Sequence, residues 1–216
     1  MEPKDNKSSS SPSAPHTKAT RDDWIRIALD TLISDGVEKV RVLSLAQRLD
    51  VSRSSFYWYF NSRSDLLDTL LDVWRTSNTQ AIVKQSRLPS ETVTEGILNL
   101  FACWVDPDLF NPRLDFAIRE WARRSGTVRH VVDQADNERV EAIKEIFLRH
   151  EYEATEAFIR ARVLYFMQIG YYALDIRETP ETRMHYTPAY LKSFTGIEAL
   201  PGEIPAFAKR YIQRRD

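Results

Sequence analysis

Residues 51–67 read VSRSSFYWYFNSRSDLL, a run that places Arg53 and Arg63, several serines and five consecutive aromatics in one short segment. Guanidinium groups hydrogen-bond guanine O6 and N7 or a phosphate, and serine hydroxyls meet base edges or the sugar-phosphate backbone. A phenol offers its ring to a thymine methyl and its hydroxyl to a phosphate. This is chemistry suited to a DNA groove. If residues 53–60 form a helix, successive side chains point about 100° apart, so five aromatics in a row cannot share one core. On a wheel Phe56 and Phe60 fall together, facing inward. Arg53 and Tyr57 share another face, Ser54 and Trp58 lie beside them, and Ser55 and Tyr59 occupy the remaining flank. Phe56 and Phe60 are expected in the core, with Tyr57 and Tyr59 directed toward DNA. Trp58 stays open between DNA and a wedge against the next helix. The alternative is that all five aromatics are core.

The elements that must position this run are helical. From Thr20 onward the apolar period is 3.6 rather than 2. RDDWIRIALDTLISDG places Trp24, Ile27, Ala28 and Leu32 on one stripe, with Thr20 as N-cap, Asp22 and Asp23 in the first turn and Gly36 as the stop. A second helix is expected over 43–50, and Ser52 can cap a third over 53–60. Ser62 and Asp65 form a variant capping box opening a helix that runs to about Arg87, roughly 37 Å at 1.5 Å per residue. Further helices are expected at about 90–105, 108–124, 127–149, 154–177, 187–195 and 203–214, punctuated by Pro107, Pro112, Gly126, Pro180, Pro188, Gly196, Pro201 and Pro205. The fold class is all-α: an N-terminal three-helix helix-turn-helix unit, joined by a long helix to a larger helical body. The boundaries are a disordered Ser/Pro-rich tail over 1–18, the small unit over 19–66 and the body over 67–216.

Composition narrows the function classes. The chain has 216 residues, net charge −1 and 28% charged residues, so no overall basic field advertises nucleic acid. Residues 20–75 hold eight Arg or Lys and nine Asp or Glu. Affinity for DNA must therefore come from placement, with Arg41, Arg48, Arg53 and Arg63 turned toward phosphate. The single Cys103 excludes an intramolecular disulfide, suits a reducing cytoplasm and reads as a small core residue. No apolar stretch is long enough to span a membrane, and no membrane partner is expected. The motifs of nucleophile elbow, zinc protease and phosphate loop are absent, which argues against an enzyme. The histidines at 16, 130, 150 and 185 lie far apart, and neither a metal nor a cofactor is expected.

The segment RVLSLAQRLDVSRSSFYWYFNSRSDLL resembles the DNA-binding segment of the TetR family of bacterial transcriptional regulators. In that family an apolar–Ala pair opens the scaffold helix, here Leu45-Ala46. The recognition helix ends in Tyr-x-His-Phe, here Tyr57-Trp58-Tyr59-Phe60, and a basic residue follows, here Arg63. The resemblance implies that Arg53, Ser54, Ser55 and Tyr57 meet base edges or nearby phosphates, and that Tyr59 and Arg63 contact phosphate. Four positions depart from the pattern, Ser54 standing at the small residue early in the recognition helix. Tyr59 replaces the usual His. Asp50 replaces a turn glycine, which suits a residue tolerant of left-handed backbone. Val42 replaces a capping hydroxyl, so that Arg41 or Ser44 is expected to take over its phosphate contact.

The resemblance further implies a homodimer and a small-molecule effector of unknown identity. The expected dimer surface is the long helix ATEAFIRARVLYFMQIGYYALDI with YLKSF, through Ile159, Val163, Phe166, Gly170, Leu174 and Tyr190, although the same helix could be plain core. The effector pocket is expected among Phe101, Trp104, Phe116, Trp121, Tyr165, Gln168 and Tyr171, each of which could equally be core. The resulting expectation is a cytoplasmic repressor that leaves a near-palindromic double-stranded DNA operator when an effector binds. The competing reading is a helical interaction module whose helix-turn-helix no longer binds DNA.

Overall fold

Thr20 opens the first helix with a reciprocal cap: Asp23 N–H donates to Thr20 Oγ1 at 3.2 Å, and Thr20 N–H donates to Asp23 Oδ2 at 2.9 Å. The Thr20 backbone and hydroxyl, then Arg26, hold the Asp23 carboxyl down at about 2. The helix, α1 (Arg21–Asp35), buries Trp24, Ile27, Ala28, Thr31 and Leu32 and stops at Gly36, whose φ of 82° only glycine adopts readily. The computed structural model describes residues 19–211, so the tail over 1–18 lies outside the described residues.

A single turn of 3-10 helix (Val37–Lys39) leads to α2 (Val42–Arg48). Asp50, at φ 52°, makes the tight turn that an L residue tolerates best when it is Asp or Asn. The next segment, expected as an α-helix over 53–60, is a 3-10 helix (Arg53–Trp58). The tighter winding suits a short element flanked by turns.

Ser62 caps α3 (Arg63–Trp74), accepting from Asp65 N–H at 3.1 Å. A π-helical turn (Arg75–Thr79) and α4 (Gln80–Ser86) continue the same helix, so the expected long connector is present with one widened turn inside it. The body then comprises α5 (Val93–Val105), α6 (Pro112–Ala122), α7 (Gly126–Arg149), α8 (Ala154–Ala173), α9 (Pro180–Thr195) and α10 (Glu203–Tyr211). No strand occurs among the described residues. Two starts differ from expectation. Helix α6 begins at Pro112 rather than 108, because Asn111 caps it and residues 106–111 form a turn. Helix α9 begins at Pro180 and runs through Pro188, which does not break it.

Two apolar clusters hold these helices together. The first joins Trp24, Phe56, Leu70 and Trp74 to Leu114, Ile118, Val128 and Val132, so the head's core continues into α6 and the start of α7. The second fills the body, from Ile97 and Leu100 through Ile143 and Phe147 to Leu164 and Leu191. Cys103 belongs to the second, and burial pushes its thiol up to about 12, leaving it inert.

Candidate nucleic-acid interface and an interior cavity

The aromatic run divides much as the wheel suggests. Phe56 and Phe60 are buried, their rings stacked at 5.2 Å, and Phe56 meets Trp24 edge-on at 5.2 Å. This anchor turns the opposite face outward. Tyr57 is 49% exposed and Trp58 64%, so Trp58 faces solvent rather than the core. Arg53 Nη2 donates to Tyr57 OH at 3.1 Å, with its guanidinium carbon 5.9 Å from the ring centroid. The pair is thus held as one outward unit before any ligand arrives. Ser54 and Ser44 are exposed, and so is Arg41, whose Nε donates to Glu38 O at 2.9 Å.

Three expected contact residues are placed differently from the rest. Ser55 is buried and its hydroxyl donates to Ser52 O at 2.8 Å, so it fastens the turn. Tyr59 is half-buried, packed against the head's core. Arg63 reaches back across the head, donating from Nε to Val40 O at 2.6 Å and from Nη2 to Val37 O at 2.7 Å. A guanidinium carries five N–H donors, so the remaining ones are still available to a phosphate. The residues the structure brings together on one outward face are Arg53, Ser54, Tyr57 and Trp58.

In the body, a cavity of about 370 Å³ is lined by Phe101, Trp104, Gln168 and Tyr171, four of the expected pocket residues. Phe116 and Trp121 lie elsewhere, on a second crevice of about 680 Å³ where the end of α1 meets α6 and the end of α8. Tyr165 is buried in an ion network. Tyr190, expected at a dimer surface, turns inward to line the cavity, its hydroxyl 3.2 Å from that of Tyr171. Sequence reasoning missed Arg183, Phe194, Phe207 and Tyr211, which reach the cavity because α9 and α10 fold back over α5 and α8.

The ion network was also missed, and Asp136 belongs to it. Asp115 accepts from Trp74 Nε1 and Arg119 Nε, each at 2.8 Å, and its Oδ1 lies 2.9 Å from Arg139 Nη1. Arg119 grips Asp136 through two bonds of 2.9 and 2.6 Å, and Tyr165 OH donates to Asp136 at 2.7 Å. Arg139 is fully buried and donates to Thr79 Oγ1, at 3.1 Å from Nε and 2.9 Å from Nη2. Two guanidinium groups and two carboxylates balance in charge, as burial requires. Burial pushes the Asp115 carboxyl up, yet Arg139 and Arg119 more than offset this and hold it below its ordinary value. The network ties the π-helical turn of the long connector to α6, α7 and α8.

Among the described residues, helix α8 presents an exposed apolar stripe. Ile159, Val163 and Phe166 are 51%, 56% and 43% exposed, spaced i, i+4, i+7 on one side. Gly170 continues the row with nothing near where a Cβ would stand. Leu174 lies exposed just past the helix end. Among the described residues no helix is long and apolar enough to cross a membrane.

Head, connector and body together define an all-helical protein with a helix-turn-helix unit at one end. Residues 25–70 match the family of bacterial regulatory proteins, tetR family. Over 62 residues the chain is 37% identical to the tetracycline repressor protein class A from transposon 1721 of Escherichia coli, covering 29% of each protein. Over 73 residues it is 33% identical to an HTH-type transcriptional regulator of Saccharopolyspora erythraea, covering 34% of this chain and 28% of that one. The matched stretch therefore spans less than a third of the length of these relatives. The fold likeness runs further. A TetR-family transcriptional regulator from Bordetella parapertussis superposes with a TM-score of 0.58 at 14% identity, over 83% of this chain and 98% of that one. The multidrug binding protein EbrR, complexed with imidazole, gives 0.52 at 17% identity, over 84% and 96%. Over residues 25–70 the chain is thus similar to the tetR family of bacterial regulatory proteins, and beyond them the likeness is one of fold.

Proposed function

We propose that the protein is a sequence-specific DNA-binding transcriptional regulator, a homodimeric repressor that a small molecule in the body cavity releases from a near-palindromic operator. The observation that carries this reading is the Arg53–Tyr57 unit, held outward over the buried Phe56–Phe60 anchor within the segment that matches the family. A guanidinium so placed can bond guanine or phosphate, and the neighbouring rings can meet thymine methyl groups. Arg41, Ser44 and the remaining N–H groups of Arg63 flank this unit as phosphate contacts, Tyr59 more marginally. Ser55 supports the face from beneath.

Fluorescence anisotropy against the DNA flanking the gene, across a salt series, tests the reading. The protein should prefer that duplex to a control, and log affinity should fall with log salt by about 0.9 for each phosphate neutralised. If flanking DNA fails, selection from random duplexes follows; weak binding without sequence preference there would leave the head as an interaction module.

Dimerisation is supported by the α8 stripe, because monomeric proteins rarely leave such rows uncovered. Its members are Ile159, Val163 and Phe166, with Gly170 allowing close approach and Leu174 at its edge. Phe166→Glu should weaken self-association at least tenfold in analytical ultracentrifugation, since it sets two like charges into a paired apolar seam. An unchanged dimer would move the interface off α8.

A further inference from the structure

We propose that the body cavity selects an aromatic carboxylate, with its ring among Phe101, Trp104, Tyr190 and Phe194 and its charge on Arg183. The proposal rests on the reading of this cavity as the effector site. At about 370 Å³ the space lies at the small end of the range typical for ligand sites, roughly 300–1,000 Å³. Its walls are flat. Tyr190 and Phe194 stack at 5.9 Å with 10° between their planes, and Phe101 lies 5.0 Å from Trp104 and 6.4 Å, edge-on, from Phe194. A planar ring can meet several of these faces in offset or edge contact.

The polar group is the guanidinium of Arg183. Among the described residues its Nε is buried with no hydrogen-bond partner, and Nη1 reaches Trp104 O at a long 3.4 Å. Its carbon stands 5.9 Å from the Tyr171 ring centroid. No carboxylate forms an ion pair with Arg183 among the described residues, although two acids line the cavity. Glu178 accepts from Tyr171 OH at 2.8 Å. Glu181 is exposed in the first turn of α9 and engaged with Thr179, whose hydroxyl holds its carboxyl below the ordinary range. Among the described residues the cavity therefore contains a cation without an ion pair and with an unmet donor. Leaving such a donor buried is costly, and a charge-assisted bond from a ligand carboxylate would satisfy it. A guanidinium fork also matches the planar, two-oxygen geometry of a carboxylate better than a lone amide oxygen.

Isothermal titration with 2-naphthoate, 2-naphthamide and 2-naphthylmethylammonium separates the alternatives, using the full chain and the variants Arg183→Gln and Trp104→Ala. Naphthoate should bind wild type at least about tenfold more tightly than the amide, and the ammonium should bind worst. Arg183→Gln should erase the gap between acid and amide while leaving amide binding in place. Trp104→Ala should weaken both. If the amide or ammonium binds as well as the acid, and Trp104→Ala weakens it, the cavity takes ligands but the proposed class is overturned. If none of the three binds at millimolar concentration, the effector reading falls with it. Should Trp104→Ala fail to fold, the three probes against wild type and Arg183→Gln still decide the class.

Discussion

Arg53→Ala combined with Tyr57→Ala should abolish the preference for a specific duplex while sparing most of the protein's weak affinity for any duplex. The two side chains form one outward unit, joined at 3.1 Å, so either single change would leave the partner to reorient. A good bidentate contact to a base contributes about 1–3 kcal/mol of discrimination. In a dimer each half-site loses one, about 2–6 kcal/mol in all, which amounts to roughly a thirtyfold or greater loss of preference. Arg41 and the remaining donors of Arg63 are untouched, and phosphate contacts supply most non-specific affinity. Anisotropy titration on specific and scrambled duplexes measures the ratio directly. Circular dichroism confirms that the head remains folded, as expected, since Phe56 and Phe60 carry the packing. A ratio unchanged from wild type would remove residues 53–58 from the reading face.

Asp115→Ala should cost about 3–5 kcal/mol of stability at pH 7, because it strands the Arg139 guanidinium in the interior and leaves Arg119 with Asp136 alone. Arg139 is fully buried and would keep only hydroxyl partners, Thr79 and Tyr165. Trp74 Nε1 would lose its acceptor as well. Urea denaturation at pH 7 gives the magnitude. The acid limb gives an independent signature. The folded carboxyl is held below its unfolded value, because Arg139 and Arg119 outweigh the upward push of burial. Its contribution is therefore present above the unfolded value of about 3.9 and is lost as pH falls through the folded one. Wild type should lose stability over that interval more steeply than the variant. Parallel acid limbs would mean that Asp115 does not titrate with folding.

Much of this molecule was legible in the sequence where the signal was local. Thr20 with Asp23, Ser62 with Asp65, and Asp50 in a left-handed turn each declare themselves within a few residues. The division of Phe56 and Phe60 from Tyr57 needed only the helical angle and survived the change from α to 3-10 winding because the element is so short, whereas Tyr59, expected outward, packs against the head's core. Placement of the ion network was illegible for the opposite reason. Trp74, Asp115, Arg119, Arg139 and Tyr165 sit on four helices, and a charged residue on an amphipathic helix reads as solvated until its partner is known. Arg63 is similar: its carbonyl partners lie 23 and 26 residues away. Tyr190 and Arg183 were misjudged or missed because only the fold-back of α9 shows which side of that helix is covered.

The widened turn at Arg75–Thr79 acts as an angular gauge. An α-helical residue advances about 100° around the axis, and a π-helical turn accommodates roughly one more residue than an α turn. That turn lets two consecutive residues, Asn78 and Thr79, face inward together. Asn78 Nδ2 donates to Asn111 O at 2.8 Å, and Thr79 accepts from Arg139. It also brings the row that seats the head, Leu66, Leu70 and Trp74, into phase with the row that seats the body, Ile82, Val83 and Ser86. Removing one residue from this stretch would rotate one end of the connector against the other by about 100°. In the proposed dimer, whose two heads would enter successive grooves, the azimuth of each head would be written in five residues roughly three turns along the helix from the proposed reading face.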